Sequence, residues 1–342
     1  MNLADLMERF ATVEKAREYL EKQRWPEGPE CPHCGLVGEA YKITPKPRPV
    51  VVERQTKDEV ATQSKRVRKP RQGLYKCAGC RKPFTVTVGT IFEDSHIPLN
   101  KWVIAVHLLC ASKKGMSAHQ LHRMLGVTYK SAWFMAHRIR YGMSQEPLAS
   151  QLTGVVEADE TYIGGKRRHS QSYAVKQGQR AQDPIGPTAD KAAVFSVLQR
   201  DGRVRSTHLD RVIGANLRNA IIELCAPDAH VITDEARMYN SLEKQRKHSK
   251  VNHSKKEYVR YEDGVCITTN TIESFFSNLK RGINGVYHHV SKEHLHRYLS
   301  EFDFRYNSRK MSDSDRREAA LKGFNGKRLM LHDPIGKTEK PS

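Results

Sequence analysis

Two cysteine pairs, Cys31-Pro32-His33-Cys34 and Cys77-Ala78-Gly79-Cys80, constrain the first third of this chain more than any other feature. Each pair sets two thiolates on one tight turn, and four such sulfurs close a tetrahedron around zinc. Paired CxxC spacing is itself a zinc signature, whereas a redox role needs one CxxC beside a βαβ unit. Four cysteines complete the set, so His33 is not required as a ligand. A closed site of this kind is structural: Zn2+ folds a segment too poor in apolar residues to stand alone. Of the seven cysteines, Cys110, Cys225 and Cys266 lack partners at ligand spacing, and Cys110 and Cys225 fall on apolar helix faces, where a free thiol reads as core.

The rest of the chain sorts by periodicity. Leu3, Leu6, Met7, Phe10, Val13 and Leu20 predict one helix over residues 3–24, stopped by Trp25-Pro26-Glu27-Gly28-Pro29. The stretch 44–73 between the cysteine pairs is rich in Pro, Lys and Arg (Pro45-Lys46-Pro47-Arg48, Lys65-Arg66-Val67-Arg68-Lys69) and reads as a mobile or DNA-touching insertion. A helix is signalled from Pro98 to Cys110. Ser117 then opens a short helix to Leu125, Gly126 turns the chain, and Thr128 opens a second helix through Tyr141, which is helix-turn-helix spacing. After Pro147, strands are predicted at 155–163, 192–198, 204–209 and 230–233, with helices over 215–225, 271–281 and 291–307. The fold class is therefore α/β, a mixed sheet flanked by helices. The expected domains are an N-terminal helix (1–25), a zinc ribbon with its insertion (26–92), a helix-turn-helix region (93–146), a catalytic domain (147–312) and a C-terminal tail (313–342).

Charge narrows the partner. Lys and Arg number 58 against 38 Asp and Glu, a formal net charge of +20, which favours a polyanion because each neutralised phosphate releases condensed counterions. No apolar run approaches the roughly 20 residues that span a bilayer, and no N-terminal signal core is visible, so a cytoplasmic protein with no membrane partner is expected. On the second helix of the helix-turn-helix, Lys130, Arg138 and Arg140 are the candidate DNA contacts. The alternative is a helical hairpin that only packs the core.

Three carboxylates carry the candidate chemistry. Phosphodiester cleavage needs an activated nucleophilic oxygen and a stabilised leaving oxygen, and two metal ions clamped by acidic residues supply both. Asp159 lies within an otherwise apolar strand, where a lone carboxylate is costly to bury without a cation. Asp234 follows the strand His230-Val231-Ile232-Thr233, and Glu273 lies off the apolar stripe of its helix, sharing a face with Lys280 two turns on. Each has a plainer reading: an edge-strand charge for Asp159, like its neighbours Glu157 and Glu160, a turn residue for Asp234, and for Glu273 a capping box begun by Asn270.

Taken together, the segments Val156-Glu157-Ala158-Asp159-Glu160-Thr161-Tyr162-Ile163-Gly164-Gly165-Lys166, Thr233-Asp234 and Thr269-Asn270-Thr271-Ile272-Glu273-Ser274-Phe275-Phe276-Ser277-Asn278-Leu279-Lys280-Arg281-Gly282 resemble the bacterial insertion-sequence transposases that join an N-terminal zinc ribbon to a DDE domain. Ser112-Lys113-Lys114-Gly115-Met116-Ser117, Ala132-Trp133-Phe134-Met135 and Glu301-Phe302-Asp303-Phe304-Arg305-Tyr306-Asn307 extend the resemblance over most of residues 25–310. The resemblance implies a ribonuclease-H-like core, Mg2+ or Mn2+ held by Asp159, Asp234 and Glu273, and DNA contact by Lys280 with its neighbour Arg281. It also implies cleavage and strand transfer at terminal inverted repeats, target DNA as second partner, and a homodimer or higher oligomer on DNA. Two rivals stay open: a catalytically inactive or domesticated zinc-ribbon DNA-binding regulator, and an RNA-directed nuclease on a similar core.

Overall fold

The computed structural model describes residues 3–44, 48–53, 63–68, 72–144, 151–164 and 191–330. Pro45-Lys46-Pro47, Lys69, Gly165 and Lys166, singled out above, lie outside these residues. The chain divides into two compact units, Met1–Ile104 with Phe324–Arg328, and Ala105–Gly323 with Leu329–Ser342.

The first unit opens with α1 (Leu3–Arg9) and α2 (Val13–Arg24), not the single helix that the apolar spacing predicts. Thr12 is extended and its side chain accepts from Lys15 N at 3.3 Å, so it caps a new helix where the pattern alone sees continuity. β1 (Ala40–Ile43) precedes a separate antiparallel ribbon of β2 (Arg48–Glu53) and β3 (Gln63–Arg68). The insertion is therefore not irregular throughout. Its run Val50-Val51-Val52 is β-branched, which suits a strand. β4 (Leu74–Cys77) pairs with both β1 and β5 (Pro83–Phe84), giving a three-stranded antiparallel sheet. Trp25 packs edge-on against Tyr75 and Phe84, with ring centroids 5.4 and 5.7 Å apart, and supplies the small core beside the cysteines. The following helix α3 spans Leu99–Ala111, as its periodicity predicts.

In the second unit, α4 (Ala118–Leu125) and α5 (Tyr129–Gly142) form the helix-turn-helix. Ser117 and Thr128 cap them by accepting from Gln120 N and Ser131 N, each at 3.2 Å, and Gly126 turns the chain at φ +59°, a conformation natural to glycine. A five-stranded sheet follows: β6 (Val155–Ile163), β7 (Ala192–Gln199) and β8 (Val204–Leu209), then α6 (Gly214–Leu224), β9 (His230–Asp234) and β10 (His248–Val251). The spatial order is β10-β9-β6-β7-β8, with β6 to β8 antiparallel and β9 and β10 parallel to β6. A small hairpin, β11 (Arg260–Glu262) with β12 (Val265–Ile267), leads into α7 (Asn270–Gly282) and α8 (Lys292–Asn307).

Strand alternation divides the core in two. Val156 and Ala158 pack with Phe195, Val197, Leu217 and Ile221 on the α6 face, while Ile163, Val194 and Leu198 pack with Ile272, Phe275, Phe276 and Leu299 under α7 and α8. The result is the expected ribonuclease-H-like mixed sheet flanked by helices. The outer margin of β8 is closed by side chains of α8: Asn307 Oδ1 accepts from Val204 N at 2.7 Å, its Nδ2 donates to Val204 O at 3.0 Å, and Asp303 accepts from Ser206 N at 2.7 Å. The expected tail is in part helical, since Ser312 caps α9 (Asp313–Lys322) by accepting from Asp315 N at 3.2 Å. No helix among the described residues is long and apolar enough to cross a membrane.

Candidate active site

The four cysteines meet as their spacing requires. Cys31 Sγ lies 3.6 Å from Cys80 Sγ and Cys34 Sγ 3.6 Å from Cys77 Sγ, and all four sulfurs fall within 4.8 Å of one another. A tetrahedron with Zn–S bonds of about 2.3 Å has S···S edges of about 3.8 Å, so the donor set fits the ion. The first knuckle closes through Gly35 N donating to Cys31 O at 2.9 Å, with Gly35 at φ +75°. Hydrogen bonding, first from the Cys80 backbone and then from the neighbouring thiols, pulls the Cys77 thiol down to about 7, towards the thiolate that zinc takes. Cys110 and Cys225 are buried, as expected of core thiols.

The acidic residues gather at one end of the sheet of the second unit. β6 pairs in parallel with β9 at Val155–His230, Val156–Val231 and Glu157–Ile232; the pairing ends two residues before Asp159 and Asp234, which lie near enough for the charge of Asp234 to act on Asp159. Asp159 shares its strand face with Glu157 and Ile163, the face that α7 covers, and α7 carries Glu273 in its first turn. Burial above all, then the charges of Glu160, Asp234 and Glu273, pushes the Asp159 carboxyl up to about 7, against a hydrogen bond from Glu160 N at 2.7 Å. Burial also raises Asp234, which accepts from Ala236 N at 3.0 Å, and Glu160, which accepts from the buried Tyr239 hydroxyl. A divalent cation relieves each of these penalties, and hard oxygen donors are the set that Mg2+ or Mn2+ takes. Among the described residues only the four cysteines bring three or more such ligand atoms within 4.8 Å of each other, so the carboxylates stand apart and do not form one closed cage.

Glu273 is not a capping-box residue. It is half exposed, and its Oε1 accepts from the Thr269 hydroxyl at 3.0 Å, with His253 Nε2 at 3.5 Å. Two backbone donors in the first turn of α7 go instead to Glu157, by sequence an edge-strand charge, while Asn270 N donates to the Thr268 hydroxyl at 3.2 Å. That carboxylate is fully buried and accepts from Thr271 N, Thr271 Oγ1 and Ile272 N, each at 3.0 Å. Arg200 completes the arrangement, donating to Glu157 at 3.0 Å, to Thr268 O at 3.1 Å and to Cys266 O. The strand of the first acid thus anchors the helix of the third. One signal pointed to it: Glu157 is two residues from Asp159, hence on the same face of an apolar strand. His253 carried no such signal, because only tertiary structure brings it to Glu273.

The basic residues divide sharply. Lys130, Lys280 and Arg281 are exposed. Arg138 and Arg140, read above as DNA contacts, are corrected by their burial at 3% and 2% exposure. Arg138 donates to Leu329 O at 2.9 Å, and Arg140 pairs with the fully buried Glu301 at 2.6 Å beneath Tyr298 and Tyr287. Guanidiniums so enclosed and partnered are not free to grip the backbone of a duplex lying along α5. They tie α5 into the core.

Comparison with known proteins accords with this architecture. Residues 151–307 match the model of the ISXO2-like transposase domain, and residues 12–83 that of the transposase zinc-ribbon domain. Over these spans the chain is similar to a transposase domain preceded by a transposase zinc ribbon. It is 25% identical over 303 residues to "Uncharacterized protein in transposable element ISH50" of Halobacterium salinarum, covering 86% of this chain and 91% of that one. That relative is archaeal, so the resemblance is not confined to bacterial proteins. A solved structure, "Crystal structure of a pre-cleavage Mos1 transpososome", aligns over 66% of this chain and 79% of its own at 12% identity, with a TM-score of 0.17, too low to bear on the argument.

Proposed function

We propose that this transposase-domain chain catalyses metal-dependent DNA cleavage and strand transfer at the terminal inverted repeats of an insertion sequence, with Asp159, Asp234 and Glu273 holding two Mg2+ or Mn2+ ions. The observation that carries the reading is that the charges of a strand-end carboxylate, Asp234, and a helical one, Glu273, both act on the mid-strand Asp159, which burial and its acidic neighbours raise to about 7. Bound there, two divalent ions supply Lewis-acid activation of the attacking oxygen and stabilisation of the leaving one.

The chain's own residues do the positioning. Asp159 and Asp234 reach the ions from adjacent strands, and Glu273 from the helix that Glu157 fixes. Thr269 and His253 orient the Glu273 carboxylate. Lys280 and Arg281, exposed on α7, and Lys130, exposed at the start of α5, contact the DNA backbone. The zinc ribbon and the helix-turn-helix recognise the element ends, and the assembly on DNA is a dimer or larger.

The test is a nicking assay on duplex DNA carrying the inverted repeats that flank the gene, with Mg2+. Asp159→Asn is expected to abolish cleavage and leave gel-shift binding unchanged. A variant that still nicks removes the triad, and an inactive native protein that binds the repeats favours the regulator reading.

A further inference from the structure

In the second unit, a cleft of about 420 Å³ opens at the start of α4 and α5 opposite the turn that follows α7. This volume falls in the range of small-ligand sites. Its walls are rings. Tyr129, 42% exposed, stacks on His119 at 4.3 Å with the planes 27° apart. Trp133 packs against His137 and His294, at centroid distances of 4.1 and 5.6 Å, and also lines the cleft. Arg123, His288 and His289 add cationic or protonatable groups, and no lining residue is acidic. Arg140 also lines the cleft, and it shares the single carboxylate of Glu301 with Arg305, two guanidiniums to one buried carboxylate.

Partly exposed rings, cations at the margin and no carboxylate among the lining residues are the elements of a stacking platform for a base and its phosphate. A duplex buries its bases, so such a platform takes a nucleotide that is unpaired or turned out of the stack. Resting on the DNA-processing role proposed above, we propose that this cleft binds one extrahelical or single-stranded nucleotide, its base stacked against Trp133 and Tyr129 and its phosphate facing Arg123 and His288.

The chain provides its own reporter. Of three tryptophans, Trp25 and Trp102 are 6% and 1% exposed, and only Trp133 is partly open. Intrinsic fluorescence of the full chain, titrated without divalent metal, is followed with a thymidine 12-mer and with an abasic 12-mer of equal charge. Quenching by the thymidine strand alone, lost in Trp133→Phe, is the expected result. Tyr129→Ala should weaken thymidine-strand binding roughly 5- to 150-fold, since stacking one base is worth about 1–3 kcal/mol. Equal quenching by the abasic strand, no quenching by either, or quenching that survives Trp133→Phe overturns the site. The same titration in Asp159→Asn keeps the two readings separate. Quenching there with no cleavage leaves the cleft standing, while cleavage by the native chain without quenching removes the cleft and spares the triad.

Discussion

Replacing Glu157 by Gln isolates the interaction that holds the third carboxylate. The native carboxylate takes three hydrogen bonds from the first turn of α7 and one from Arg200, all at 3.0 Å and at zero exposure. A bond to a charged acceptor contributes about 1.5–3 kcal/mol, and an anion at a helix N-terminus adds about 0.3–2 kcal/mol through the dipole. Gln keeps the volume and one acceptor oxygen, but turns an NH2 towards donors and leaves Arg200 without its counter-ion. Breaking a buried pair from one side typically costs 3–5 kcal/mol. Because some acceptance survives in Gln, about 3 kcal/mol is expected here. Amide hydrogen exchange of the full chain reads this locally: under conditions where exchange reports opening equilibria, peptides covering α7 should exchange roughly 100-fold faster, and those covering α2 should not change. The divalent-ion concentration needed for cleavage should rise in parallel, because Glu273 rides on that helix. Acceleration of less than about 5-fold, or equal acceleration in α2, refutes the anchoring role.

The Asp159 carboxyl, raised to about 7, binds its proton more tightly in the folded chain than in the unfolded one, so its contribution to stability is full below its ordinary value of 3.8 and is lost as the pH climbs to about 7. In EDTA, Asp159→Asn should therefore unfold at higher urea than the native chain at pH 8, by on the order of 1–3 kcal/mol, with the advantage shrinking at pH 5; an advantage independent of pH contradicts the assignment. Cys34→Ser should remove bound zinc, read by metal analysis of the purified chain, and expose the peptides of β4 and β5 to exchange; retained zinc would mean another ligand completes the site. Gly282→Ala places a methyl 2.3 Å from Phe302 Cζ and 2.8 Å from the Lys114 carbonyl, so thermal unfolding should show a loss of about 1–3 kcal/mol. An unchanged melting temperature would show that the end of α7 has room to shift.

What the sequence disclosed and what it hid follow from the range of the interactions. The zinc knuckles, the apolar strands β6, β7 and β9 and the stripe of α7 are local patterns, each set by neighbours a few residues apart, and they form at the predicted places. Asp159 stood out for the same reason, as a charge within an apolar run. Arg138 and Arg140 misled because a basic residue on a helix looks the same facing water or facing a buried carboxylate, and Glu301 lies 161 residues beyond Arg140. Glu157 reaches α7 across 114 residues, so the capping box at Asn270 was the only local candidate for that helix start. β10 escaped because His248-Ser249-Lys250-Val251 has little apolar signal and is held by its pairing with β9. The break between α1 and α2 turned on one hydroxyl at Thr12, which periodicity does not weigh.

The closure of β8 by α8 has a consequence for synthesis. Asn307 lies 103 residues after the Val204 backbone that it satisfies. At roughly 5–20 residues per second, translation leaves that strand unprotected for about 5–20 s after it emerges. During that interval the growing chain carries an open hydrogen-bonding margin on an apolar sheet, and chains leaving neighbouring ribosomes can pair there. Solubility on expression is thus decided when Asn307 emerges, and truncation just before it should aggregate although all five strands of that sheet are present.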